Sequence, residues 1–216
     1  PANLTGPLAA IRVRAGVGSG ANNCNADGRV CVRFQDVMSN ADIAAAVALA
    51  HASDVVLVFV ATSSAEGQDR TSLSLTAACQ STVGGVCKNP LPDLNQDALI
   101  SAVVAAAAAK TVVVAVTPGA LLMPWASARA GASATGADAG TGAAAVLVPF
   151  MPGQAYGLAI ASVVFGDTNP SARLPVTMPA SANDTRITQA QWPGYSQQAS
   201  IASMAAGAGG AGAETG

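Results

Sequence analysis

Three runs of apolar, mostly β-branched residues stand out along the chain: Val55–Ala61 (VVLVFVA), Thr111–Thr117 (TVVVAVT) and Ala144–Phe150 (AAVLVPF). None alternates with polar positions. Continuous runs of this length predict strands buried on both faces, as in a parallel sheet covered by helices. The segments between them carry helical signals. Ser39 caps a helix predicted over Ser39–Ala52, with Asp42 three residues on. Further helices are predicted over Asp93–Ala109, starting near Asp93 or Asn95, over Leu121–Arg129, and over Gln154–Phe165. Pro118-Gly119, Pro152-Gly153 and Gly166-Asp167 supply the breaks. Residues 7–15 suit a helix or a strand alike. Repeated strand–helix alternation with short turns predicts an α/β fold, a three-layer helix–sheet–helix sandwich with a mostly parallel sheet.

Composition changes this picture in two places. The hydrophobic fraction is 51%, but fifty of those residues are alanine, so the mean hydropathy of +0.42 overstates the oiliness of the chain. The longest apolar stretch, Ala98–Val116, is interrupted by Ser101, Lys110 and Thr111, and reads as helix then strand rather than a membrane span. Residues 130–142 (AGASATGADAGTG) are a low-complexity stretch and the Gly/Ala-rich end resembles a tail. The expected organisation is therefore a domain over residues 1–180, with an insertion near 130–142, and a linker with tail over 181–216. Because the chain opens at Pro1 without a leader, it reads as a fragment or a processed product. A net charge of -2 without a basic cluster argues against nucleic acid as a partner.

The four cysteines fall in two local pairs, Cys24 with Cys31 and Cys79 with Cys87. Gaps of six and seven residues are wider than those of structural zinc sites, and the lone histidine, His51, lies elsewhere. Two disulfide-closed loops fit better and point to the secretory pathway or the extracellular space. Asn3-Leu4-Thr5 and Asn183-Asp184-Thr185 are glycosylation sequons of a secreted chain.

The single histidine, His51, reads as a helix-terminal residue favoured by the dipole and not as the base of a Ser-His-Asp triad. Gly16–Ala21 matches G-x-G-x-x-A, yet Asn22, Asn23 and a cysteine loop follow it where a dinucleotide site needs a helix. The polar segment after the first strand is the more informative one. Ligands bind at the carboxyl ends of strands in open α/β sheets. There, in Ser63-Ser64-Ala65-Glu66-Gly67-Gln68-Asp69-Arg70, Glu66 beside a glycine can project into a cleft as a proton donor. Asp69 and Arg70 can stiffen the loop. Trp125 suits a sugar-stacking platform or a core position, and Asp54, Asp138, Asp167 and Asp184 read as strand start, loop, turn and sequon.

Residues Asp54–Leu75 (DVVLVFVATSSAEGQDRTSLSL) resemble the acid/base segment of glycoside hydrolase family 3, the β-glucosidases and β-xylosidases. Three further blocks follow in the family's order: Asn95–Ile100 (NQDALI), Thr111–Trp125 (TVVVAVTPGALLMPW) and Pro152–Pro179 (PGQAYGLAIASVVFGDTNPSARLPVTMP). The resemblance implies an incomplete C-terminal sandwich domain, truncated at its N-terminus, in which Glu66 is the general acid/base. The aspartate nucleophile would lie on an N-terminal barrel of the same parent protein. The implied partner is a β-linked oligosaccharide, with no metal or organic cofactor, and the fragment alone would be inactive. A non-catalytic carbohydrate-binding or scaffolding domain derived from such an enzyme is the alternative. Residues 130–142 depart from the family pattern as an insertion.

Overall fold

The computed structural model describes residues 5–18, 23–64, 70, 72–75, 93–126 and 142–184, with the backbone of 82–83 and 86–87. The chain divides into two compact units, Pro1–Ala180 and Ser181–Gly216. The first contains helices α1 (Pro7–Arg14), α2 (Ile43–His51), α3 (Gln96–Ala107) and α4 (Tyr156–Val164). Its strands are β1 (Val56–Ala61), the short β2 (Thr82–Val83) and β3 (Val86–Cys87), β4 (Thr111–Val116) and β5 (Ala145–Phe150). In the second unit the described residues are Ser181–Asp184, a turn in which Asp184 accepts a hydrogen bond from the Ser181 amide at 3.0 Å.

The sheet has the order β1-β4-β5, and both pairings are parallel. Central β4 meets the expectation of burial on both faces: Val113 and Val114 are fully buried and Ala115 nearly so. β1 does not. It lies at the edge of the sheet, with Phe59 39% exposed while its neighbours Val58 and Val60 are buried. Alternate residues of a strand face opposite ways, and β1 uses this to build two cores. Val58 and Val60 join Val113, Ala115 and the apolar face of α3 (Leu99, Ile100, Val103, Val104). Leu57 packs on the other side with Ala10 and Ile11 of α1 and Ala161 of α4. Helices α2 and α3 thus cover one face and α1 and α4 the other, giving three layers. Pro149 lies where the register of β5 against β4 shifts, between the pairs Val114–Leu147 and Val116–Phe150. A residue without an amide hydrogen is tolerated at such an irregularity on an edge strand.

The helices begin and end where their polar residues can serve the backbone. Ser39 and Asp42 open α2 through a turn of 3-10 helix, Asn40–Asp42. The Asp42 carboxylate accepts the amides of Met38 and Ser39 at 3.0 and 2.9 Å, which holds its pKa below the usual carboxylate range. Asn95 caps α3, its side-chain oxygen accepting the Ala98 amide at 2.9 Å. His51 is the exposed last residue of α2, and Lys110 donates to the carbonyls of His51 and Ser53 beyond it. Residues 7–15, open from sequence, are mostly helical. Arg14 of α1 reaches the end of α4, where its guanidinium makes two hydrogen bonds to Asp167 (2.7 and 2.6 Å) over the ring of Phe165. This pairing lowers the pKa of Asp167, which serves structure at that turn.

One expected helix is corrected. The described part of Leu121–Arg129, residues 121–126, is not helical; it turns at Pro124–Trp125 and bends at Ala126. Two of its amides are taken by other chain segments, Leu122 donating to Leu73 at 3.0 Å and Met123 to Pro179 at 2.8 Å. Amides bonded elsewhere cannot bond within a helix, and Pro124 has none to give.

α1 and α4 approach so closely that a Cβ on Gly157 would come within 2.7 Å of the Gly6 carbonyl carbon. Gly157→Ala is expected to cost about 1–3 kcal/mol by overpacking, lowering Tm by several degrees. Gly153→Ala, where a Cβ meets nothing within 4 Å, should leave Tm unchanged in the same thermal melts. Asn95→Ala should cost about 1 kcal/mol by removing the cap of α3, read from denaturant midpoints. Asp42 and Asp167 have depressed folded-state pKa values, so their contribution is present above the unfolded carboxylate pKa of about 3.9 and is lost as pH falls. Melts from pH 7 to 3 should show a shallower acid loss, from a lower starting Tm, in Asp42→Asn/Asp167→Asn than in the parent chain.

Candidate functional site

The carboxyl ends of β1 and β4 lie side by side. The Thr62 amide continues the ladder to the Val116 carbonyl at 2.9 Å. Past β4, the Thr117 hydroxyl donates to the Gly119 carbonyl at 3.0 Å and closes the Pro118-Gly119 turn. Past β1, the chain runs through Ser63 and Ser64 and is described again at Arg70. Ser64, Arg70, Leu73 and Pro118 line an open depression of about 250 Å³.

Arg70 gives this depression its charge. Its Nη2 donates to the Ala120 carbonyl at 2.7 Å, and its Nη1 lies 3.5 Å from the Thr117 hydroxyl. Burial pushes its pKa below the usual arginine value, yet a guanidinium stays protonated in proteins. Arg70 therefore joins the segment after β1 to the turn after β4 as a fixed cation. Further along, Leu73 accepts the Leu122 amide at 3.0 Å and Leu75 is buried in the core. The Thr62 hydroxyl is buried without a partner among the described residues.

Beneath the site lies the first turn of α3. Gln96 hydrogen-bonds both backbone groups of Ala61, accepting from its amide and donating to its carbonyl, each at 3.0 Å. Asp97 accepts from the Ser74 hydroxyl at 2.8 Å and from the Trp125 indole N–H at 3.0 Å. Trp125 is only 5% exposed. It is therefore a core residue with a satisfied polar edge, not a platform open to a sugar.

Of the residues singled out from sequence, Arg70 is thus placed at the site, while Glu66 and Asp69 lie outside the described residues. Cys24 and Cys31 are joined by a disulfide. It spans a hairpin in which Asn25 donates to Val30 at 2.8 Å and Val32 to Asn23 at 2.7 Å. Cys79 and Asn3 fall outside the described residues, and Cys87 ends β3. Asn183 is exposed in the second unit. Asp54 is exposed before the amino end of β1, at the far end of that strand from the site. Sequence reasoning assigned no role to Gln96, Asp97 or Ser74. Polar residues in the first turn of a helix are ordinarily solvated, and only the packing reveals that Gln96 and Asp97 are buried.

The family model described as the glycosyl hydrolase family 3 C-terminal domain matches residues 2–205. A β-glucosidase from Rhizobium radiobacter is 34% identical over 185 residues, covering 82% of this chain and 18% of that protein. β-Glucosidase B from Emericella nidulans is 34% identical over 142 residues, 64% of this chain and 13% of its own length. A β-glucosidase from Schizophyllum commune is 32% identical over 148 residues, 68% of this chain and 66% of that protein. The chain thus spans less than a fifth of the first two relatives. A solved β-glucosidase from Kluyveromyces marxianus in complex with glucose aligns with a TM-score of 0.46 and 20% identity, over 72% of this chain and 15% of that one. The match over residues 2–205 shows that this chain belongs to glycosyl hydrolase family 3, as its C-terminal domain.

Proposed function

We propose that the chain supplies the general acid/base of a retaining β-glycosidase, with Glu66 as that residue and the nucleophile on an N-terminal barrel of the parent protein. One observation carries the reading. Arg70, the last residue of the A-E-G-Q-D-R motif, is bonded to the turn after β4 beside the carboxyl end of β1, the position where open α/β sheets bind ligands. Family membership and the β-glucosidase names of the relatives favour terminal β-glucosides over β-xylosides as substrates.

In the first step the barrel carboxylate attacks the anomeric carbon. The glycosidic C–O bond breaks, and its oxygen takes the proton of Glu66. In the second step, ionised Glu66 takes a proton from water as the water oxygen attacks the same carbon, which releases the sugar and frees the nucleophile. Asp69 and Arg70 support the loop, and Arg70 does so through Ala120 and Thr117.

In this reading residues 1–180 are the catalytic half and residues 181–216 a linker and tail. The Cys24–Cys31 disulfide supports an oxidising compartment, and no helix among the described residues is long and apolar enough to cross a membrane. Exposed Asn183 is then a candidate glycan acceptor. A non-catalytic carbohydrate-binding role is the second reading, favoured by the open depression that Ser64, Arg70, Leu73 and Pro118 line.

The test mixes the chain with a separately expressed family 3 barrel and measures release of glucose from an alkyl and from a nitrophenyl β-glucoside. The chain alone is expected to be inactive. With the barrel, Glu66→Gln should cut turnover of the alkyl glucoside by about 10²–10⁴-fold, the usual worth of general acid catalysis. The loss should be smaller on the nitrophenyl substrate, whose leaving group needs less protonation. Equal turnover of the alkyl glucoside by parent and variant would sink the assignment.

A further inference from the structure

We propose that Gln96 and Asp97 are paired positioning residues that hold the two ends of the acid/base loop from the first turn of one helix. The proposal rests on the reading of Glu66 given above. Ala61 is the last residue of β1, and Ser74 lies on the far side of the twelve residues, 62–73, that contain Glu66. Gln96 binds the first end and its sequence neighbour Asp97 binds the second.

The geometry at each end is specific. In a parallel ladder, successive residues direct their backbone groups to opposite sides. Thr62 bonds to Val116 of β4, so Ala61 faces the other way, toward the outer edge of β1. The Gln96 amide takes both groups there, one as acceptor and one as donor, as the backbone of a further strand would. Asp97 uses one oxygen for Ser74 and the other for Trp125, so the second end is tied through a carboxylate that is itself anchored to the core. The two residues are 8% and 7% exposed. Neighbouring helical residues diverge by about 100° around the axis, which lets one rigid turn reach two separate chain segments.

α3 itself cannot shift easily, because Leu99, Ile100, Val103 and Val104 are buried against β1 and β4. A loop held at both ends by such a helix loses less freedom when its acid is brought to the substrate. Misplacement by about 1 Å costs on the order of 100-fold in rate. The effect of the pair should therefore fall on kcat and not on KM.

Hydrogen exchange in the 216-residue chain tests the clamp without reference to catalysis. Ser74→Ala, which removes one tie without altering a core residue, and Gln96→Met should each accelerate exchange in peptides covering 62–73 by about tenfold, the worth of one strong hydrogen bond. Peptides covering β4 should keep the parent's rates. Asp97→Ala should behave likewise. Asp97→Asn, which can still accept from Trp125 and donate to the Ser74 oxygen, should restore slow exchange. Mixed with the barrel, the loosened variants should lose about 10–100-fold in kcat with KM within about twofold, and Asp97→Asn should recover most of it. Unchanged exchange over 62–73 in folded Ser74→Ala and Gln96→Met would overturn the clamp. Faster exchange with unchanged kcat would overturn its positioning role. Should the exchange pattern hold while Glu66→Gln keeps full activity, the clamp stands and the acid/base reading falls instead.

Discussion

Strand β4 must be kept from water on both faces, and the rest of the main unit follows from that requirement. Its valines have no amphipathic solution, so helices must cover them from above and below while β1 and β5 take its two edges. The parallel pairing carries a functional consequence. Parallel strands end at the same side of the sheet, so the segments after β1 and β4 emerge together and must find partners for their backbone groups there. Arg70 answers that need by bonding to Thr117 and Ala120, and Leu73 by accepting from Leu122. The depression that Arg70 and Leu73 line with Ser64 and Pro118 is a by-product of ending strands in register.

The first turn of α3 handles the same need differently, with buried side chains in place of backbone. An isolated buried carboxylate is costly, and a half-satisfied polar network is worse than an apolar core. Asp97 avoids this by accepting from Trp125 with one oxygen and from Ser74 with the other. Gln96 satisfies both ends of its amide on Ala61. The network therefore specifies a geometry as well as filling space, because no apolar residue of similar size could hold Ala61 or Ser74.

Much of the fold was legible in the chain because its signals are local. The three strands fall within their apolar runs, and Asn95 caps α3 as its position suggested. Two expectations failed for non-local reasons. The run at Val55–Ala61 looks as buried as Thr111–Thr117, but β1 is an edge strand and Phe59 is partly exposed. The apolar spacing at Leu121–Arg129 suits a helix, but the amides of Leu122 and Met123 are claimed by Leu73 and Pro179, respectively 49 and 56 residues away in the sequence. At the site, Arg70 was visible from its motif. Gln96 and Asp97 were visible only as part of a family block.

By itself, the amino-acid sequence determined the order of the three sheet strands and of α2, α3 and α4, the α/β class and the family, since apolar runs, caps and motif spacing are properties of neighbouring residues. The tertiary structure alone decided which strand became central, which predicted helix was pre-empted, and that adjacent residues of α3 hold both ends of one loop. Those outcomes depend on which distant backbone groups remain unpaired when the sheet assembles, and hydrogen bonds between segments far apart in the chain leave no periodic trace in it.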